Sequence, residues 1–234
     1  MYTFITAYWH ADFFGKCIFL ALFALSITTW IFLVNKLMLF RTVRSTSKSF
    51  RTNLLAQTGS VLGIHLEQMH WQAAHPFGKI YSITREKTTE ILDKNNSYSK
   101  EERNFLSSAD IDLISSHVEA VIISQREKLE SNFYILTTAV ALAPFLGLLG
   151  TVWGMLVSFS AMQTGGHAMS NSAMLGGLAT ALTTTVLGLL IAIPALIAQN
   201  YLKNESKMYH GEMENFGHTL LSTLELQYRK VDIG

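Results

Sequence analysis

APFLGLLGTVWG (residues 143–154) and GLATALTTTVLGLLIAIPA (residues 177–195) lie inside a stretch, residues 131–202, that contains no Asp, Glu, Lys or Arg. A soluble domain keeps charge on the face that meets water; a segment inside a bilayer has no such face. The stretch is long enough for two membrane spans. Its interior is rich in Gly and Thr where lipid-facing helices favour Leu, which points to a surface made for other helices or for a polar path.

The rest of the chain agrees with a membrane protein that also has a substantial water-exposed part. It is 49% hydrophobic and 15% charged, with a mean hydropathy of +0.26. A net charge of +1 gives no footing for nucleic-acid binding. The single cysteine, Cys17, excludes a disulfide framework or a cysteine-based metal site. A first span is read at residues 17–34, CIFLALFALSITTWIFLV. It carries no Ala-x-Ala cleavage signal and is followed by Lys36, Arg41 and Arg44, as a retained helix would be. The second span covers residues 132–162 and the third residues 173–202. About 30 residues at roughly 1.5 Å rise make roughly 45 Å of helix. The hydrocarbon core is about 30 Å thick, so both helices should tilt or project beyond it.

Lys36, Arg41, Arg44, Lys48 and Arg51 follow the first span with no acidic residue among them, which assigns that segment to the cytoplasm. The expected layout is all-α, with three transmembrane helices, the second and third long and extending into the cytoplasm. Residues 1–40 hold the periplasmic N-terminus and first span, and residues 41–130 form a cytoplasmic helical loop. Residues 131–202 form the second and third spans, joined by a short periplasmic link, QTGGHAMSNS. Residues 203–234 form a cytoplasmic C-terminal helix. Within the loop, residues 108–130 show Ile111, Ile114, Val118, Val121, Ile122 and Leu129 near helical spacing, and Ser108 with Asp110 and Asp112 marks a start. No breaker is evident between this helix and the second span, so one continuous rod is expected. Residues 77–93 are a further helix, begun after Pro76. The tail continues the third span amphipathically through Leu202, Tyr209, Met213, Phe216, Leu220 and Leu224.

Enzyme chemistry has little to rest on. There is no phosphate-binding G-x-x-x-x-G-K-[ST] loop and no H-E-x-x-H, and no Ser/His/Asp set stands out. His65, His70 and His75 are spaced by five, which does not stack them on one helical face, so no metal or other cofactor is expected. In the second span, Ala143, Gly147, Gly150, Thr151, Gly154 and Ser158 form a small-residue stripe. In the third, Gly177, Thr180, Thr184 and Gly188 form one small face, and Ala181, Thr185 and Ala192 an adjoining one. Pro144 and Pro194 lie inside the runs, where each removes a backbone hydrogen bond and can kink its helix. Thr151, Thr180, Thr183, Thr184 and Thr185 either bond back to carbonyls one turn earlier and glue helices, or line a polar path for protons. Hydroxyls do not take up and release protons alone. A carboxylate is required, and the second and third spans contain none.

LGLLGTVWGMLVSF (residues 146–159) followed by GLATALTTTVLGLLIAIPAL (residues 177–196) resembles the ExbB/TolQ/MotA proton-channel family, most closely its ExbB and TolQ branches. Span one, the large loop and the N-out topology agree in layout, and the short N-terminus looks more like TolQ. The resemblance implies a subunit of an inner-membrane motor that couples the proton motive force to work on the cell envelope. It implies a homo-oligomer, a pentamer in the family, around a single-span ExbD/TolR-type partner that supplies a membrane Asp. It puts Thr151 and Thr185 on the family's pore threonines. The expected proton pathway is Thr151, Thr185, Thr180 and Thr184, and the small-residue stripes assign Gly147, Gly150, Gly154, Gly177 and Gly188 to helix packing. Many members carry Glu where this chain has Thr180, so the acidic group must come from elsewhere. The family role implied is TolQ-like, in a Tol-Pal type system; the alternatives are an ExbB-like role energising outer-membrane uptake and a passive assembly scaffold. A substrate transporter is disfavoured, because three spans show no internal repeat and no pair of broken helices.

Overall fold

The computed structural model describes residues 7–9, 11–56, 75–98, 105–164 and 169–228. Its elements are α1 (Phe13–Ala56), α2 (Pro76–Tyr98), α3 (Ser108–Glu130), α4 (Phe133–Thr164) and α5 (Met169–Tyr228). The described residues contain no β-strand. Three helical stretches, within Phe13–Ser47, Ser108–Ser160 and Met174–Tyr228, are long and apolar enough to cross a bilayer. The fold is an all-α membrane architecture with three such helices.

Helix starts follow local chemistry. Asp12 precedes α1, and its Oδ1 accepts the Gly15 N–H at 3.1 Å, satisfying one of the donors that a helix start leaves unpaired. His75 precedes α2. Its Nδ1 accepts the Gly78 N–H at 3.2 Å, and Pro76 takes the first helical position, where no N–H is needed. The cap of α3 is Ser107, one residue earlier than the start read from sequence. Asp110 N–H donates to Ser107 Oγ and Ser107 N–H donates to Asp110 Oδ2, a reciprocal capping box.

The expected continuous rod from α3 into α4 is interrupted. Ser131 ends α3, and Asn132 takes a left-handed backbone with φ 64°. Asn is among the few non-glycine residues that accept this region, so the chain changes helix there at small cost. Pro144 and Pro194 lie inside α4 and α5, and both helices continue through them. Helix α5 has 60 residues, a contour of roughly 90 Å at about 1.5 Å per residue, well beyond one hydrocarbon thickness. Helix α2 runs to Tyr98, past the end expected near residue 94. Of the link, residues 165–168 lie outside the described residues, as do His65 and His70.

The chain divides into two compact units. One comprises Met1–Leu37 with Asn132–Leu202. Its core joins Ile18 and Leu22 of α1, Ala143 of α4 and Ala192 of α5, flanked by Leu146, Trp153 and Leu187. The other comprises Met38–Ser131 with Lys203–Gly234. There Phe77 stacks edge-on against Tyr209 at 5.5 Å and Phe216 at 5.0 Å between ring centres. Ile114, Val118, Ile122 and Leu129 form the buried stripe of α3. Val118 and Ile122 come so near Gly217 that an added Cβ would lie 3.1–3.2 Å from them, close packing that the absent side chain permits.

Candidate functional site

The site is built from the charge-free part of the chain, where α4 and α5 approach through small residues. A Cβ on Gly147 would stand 3.0 Å from the Thr184 carbonyl oxygen and the Thr185 Cα. One on Gly150 would strike the Thr184 side chain, and one on Gly154 would stand 2.8 Å from both the Gly177 carbonyl oxygen and the Ala181 Cβ. On α5, a Cβ on Gly177 would lie 3.0 Å from the Gly154 carbonyl oxygen and would also strike Ser158; one on Gly188 would press on the Ala143 carbonyl. The stripe that the sequence shows on the second span therefore meets the third span of the same chain. Close backbone approach brings carbonyls within reach of hydroxyls from the opposite helix.

The threonines use that reach in different ways. Thr185 Oγ1 donates to the Gly147 carbonyl across the helix pair at 3.1 Å. Thr184, fully buried, donates to Ala181 O at 2.7 Å and lies 3.4 Å from the same Gly147 carbonyl. Thr180, also buried, donates to Gly176 O at 2.9 Å and reaches Ala7 O at 3.3 Å. Thr151 and Thr183 donate back along their own helices, to Leu148 O at 2.7 Å and Ala179 O at 2.6 Å. Ser158 donates to Gly154 O at 2.8 Å and reaches Met174 O at 3.2 Å on α5. Donors spent on carbonyls still leave each hydroxyl oxygen able to accept a hydrogen bond.

Thr180 and Thr184 line a cavity of about 220 Å³ together with Gly150, Trp153, Gly154 and Gly177. Thr151 and Thr185 are not among its lining residues, so the two threonine pairs named from sequence occupy different surroundings. The cavity also receives Asp12 and Gly15 from the start of α1. Asp12 Oδ2 accepts the indole N–H of Trp153 at 2.8 Å, and Phe14 packs on the Trp153 ring at 4.4 Å between ring centres. A Cβ on Gly15 would lie 3.8 Å from Thr180 Cγ2, which fixes how near the α1 cap comes to α5. Sequence reasoning missed Asp12 and Trp153 as parts of this site. A cap signal was present in Asp12 just before an apolar run, but its return onto α4 and α5 is a long-range feature. A larger groove of about 500 Å³, lined by side chains such as Phe19, Leu22, Phe23 and Leu190, is mostly apolar and offers a proton little beyond Tyr8 and Ser26.

Further along the same unit, Gln199 Nε2 donates to Thr137 Oγ1, a polar tie between α5 and α4. Lys36 is buried with its ammonium 5.7 Å from the Phe32 ring centre and 5.4 Å from that of Phe133. Among the described residues, no cluster of His, Cys, Asp and Glu has the form of a metal site.

Sequence comparison gives this geometry its setting. The family model described as MotA/TolQ/ExbB proton channel family matches residues 85–215, more than half of the chain. The Tol-Pal system protein TolQ of Pseudomonas aeruginosa is 28% identical over 219 residues, 92% of this chain and 88% of that protein. The biopolymer transport protein ExbB of Xanthomonas campestris pv. campestris is 36% identical over 99 residues, 42% of this chain and 39% of that protein. ExbB of Aquifex aeolicus is 44% identical over 80 residues, 34% of this chain and 53% of that protein. Three helices able to span a bilayer, together with these likenesses, make the chain an inner-membrane, proton-channel-type subunit and not an enzyme: it belongs to the MotA/TolQ/ExbB proton channel family.

Proposed function

We propose that this chain is the TolQ-like subunit of a Tol-Pal type system, where it couples the proton motive force to work on the cell envelope. Its N-terminus lies in the periplasm, and its second compact unit and C-terminus lie in the cytoplasm, as the run of basic residues after span one favours. Copies of the chain, five in the full complex, surround a single-span TolR/ExbD-type partner that brings a membrane Asp. Thr151 and Thr185 line the proton path, with Thr180 and Thr184 beside it. The glycine stripes hold α4 and α5 close enough to keep that path narrow.

The observation that carries the TolQ reading over the ExbB reading is the extent of the likeness. It runs through 92% of this chain for the TolQ of Pseudomonas aeruginosa, against 42% and 34% for the two ExbB proteins and 38% for the TolQ of Haemophilus influenzae. The ExbB reading draws on its higher local identity, up to 44%. Complementation separates them. The gene, supplied with its neighbouring single-span partner, is placed in a strain lacking its own TolQ and, separately, in one lacking ExbB. Recovered detergent tolerance in the first strain, without recovered outer-membrane uptake in the second, is the expected result. Recovery of uptake alone assigns the ExbB role. Recovery of neither, with the protein present in the membrane, removes the motor reading in favour of a scaffold.

A further inference from the structure

We propose that Asp12 is the proton-binding group that this subunit itself contributes, working in the cavity that it shares with Thr180 and Thr184. The proposal rests on the proton-channel reading above and adds a named carrier to it.

Asp12 does more than a helix cap requires. Capping needs one side-chain oxygen, and Ser or Asn would serve as well. Asp12 uses Oδ1 for the Gly15 N–H and turns Oδ2 to the Trp153 indole of α4. Trp153 lines the same cavity as Thr180 and Thr184. The carboxyl is thus tied to two helices and aimed at a polar cavity between small residues. It remains exposed in the single chain, so water or a neighbouring helix can reach it.

Its surroundings make it singular. Residues 131–202 hold no Asp, Glu, Lys or Arg, so α4 and α5 bring only indole and hydroxyl groups against it. On its own segment the titratable neighbours are Tyr8 and Lys16. His10 and His167 lie outside the described residues. The step is a plain proton transfer. A hydronium ion protonates the Asp12 carboxylate and leaves water. The resulting carboxylic acid passes the proton to a carboxylate on the partner helix, and Asp12 returns to its anion.

The test uses the complex of this chain with its single-span partner in vesicles, with pH-driven flux and complex size measured together. Asp12→Asn and Asp12→Ser keep a capping oxygen and lose the acid. Both should assemble and lose about a hundredfold in flux, the scale of a positioned proton-transfer group. Asp12→Glu should keep most of the flux. Asp12→Asn combined with Thr180→Glu, which returns a carboxylate to the same cavity from α5, should restore flux at least in part. Flux within twofold of wild type in both Asn and Ser variants overturns the proposal. So does loss in both that neither Asp12→Glu nor the double variant relieves, because Asp12 would then matter as a cap. A wild-type complex without flux sinks the proton-channel reading itself, and infrared spectroscopy then decides Asp12 separately. A carboxylic C=O band that titrates with pH and disappears in Asp12→Asn supports it; a carboxylate ionised across the whole range overturns it.

Discussion

The hydroxyls of Thr151, Thr180, Thr183, Thr184 and Thr185 all donate to main-chain carbonyls. Packing already uses these atoms, so a test of the proposed polar path has to separate the two roles by substitution. Thr→Val keeps the shape and removes the oxygen. At Thr185 it deletes a bond to the Gly147 carbonyl across the helix pair; at Thr151 it deletes only a local bond. Either loss costs about 1 kcal/mol, too little to dissolve a large oligomer. Partner-dependent flux is expected to fall about tenfold or more in the double Val variant, the effect of about 1.4 kcal/mol on a barrier. Oligomer size should stay unchanged, and the two Ser variants should keep part of the flux. Normal flux in the double Val variant would make these residues glue alone. The threonines were legible in the sequence because residue type and spacing are local facts. Asp12 was not legible as part of the site. In sequence it is a polar residue ahead of a span, and only the return of α1 onto α4 sets its carboxyl against Trp153.

Glycines that look alike in sequence differ in their helices. Gly211 has nothing within 4 Å of an added Cβ, whereas Gly154 on α4 faces the Gly177 carbonyl oxygen and Ala181 Cβ at 2.8 Å. Gly211→Ala should stabilise the chain by about 0.5–1 kcal/mol through helix propensity. Gly154→Ala should destabilise it by about 1–3 kcal/mol through overpacking, and Gly154→Leu should prevent the α4–α5 pair from closing. Thermal unfolding in detergent reads all three, and equal effects of the two Ala variants would contradict the packing described. The start of α2 carries a pH dependence. Burial pulls His75 down from 6.5 to about 4, and its neutral Nδ1 is the acceptor that caps the helix. The unfolded chain therefore binds the extra proton between these values. The stabilisation is complete above about 6.5 and is lost as pH falls toward about 4. It amounts to about 3–4 kcal/mol at most. His75→Asn keeps a capping oxygen and should flatten this part of the acid limb in a stability–pH profile; an unchanged profile would show that other groups set it. Helix existence was legible throughout, since apolar period and cap residues are both local. The break at Asn132 was missed although the residue type allowed it: Asn accepts a left-handed backbone, but whether the chain uses that freedom depends on tertiary packing.

At the scale of the whole molecule the two units differ in kind. The unit of Met38–Ser131 with Lys203–Gly234 carries ion pairs such as Arg44–Glu205 at 2.8 Å and a side-chain bond between Ser47 and Tyr209. Surface ion pairs of this kind are worth about 0–1 kcal/mol each, so its aromatic and aliphatic core does most of the stabilising. Which residues of α1 meet which residues of α5 there was hidden in the sequence, because nothing local records a contact across more than 160 positions. The other unit turns Phe145, Leu148, Phe159, Leu182, Ile193 and Ile197 outward, a surface suited to acyl chains, and buries Ser158, Thr180, Thr184 and Gln199. A proton crossing it must traverse about 30 Å of hydrocarbon. One cavity of about 220 Å³, with a single carboxylate at its rim and hydroxyl donors already bonded to carbonyls, does not span that distance by relay. On the function proposed above, the second exchanging group and the second wall of the path come from outside this chain. Purified chain in vesicles, without its single-span partner, should therefore show no pH-driven proton uptake above that of empty vesicles, and co-reconstitution with the partner should switch uptake on. Removing the partner's membrane carboxyl, by Asp→Asn, should return the flux to the level of empty vesicles while the complex stays assembled. Uptake by the single chain would place the whole relay within α1, α4 and α5 and end the requirement for a partner carboxylate.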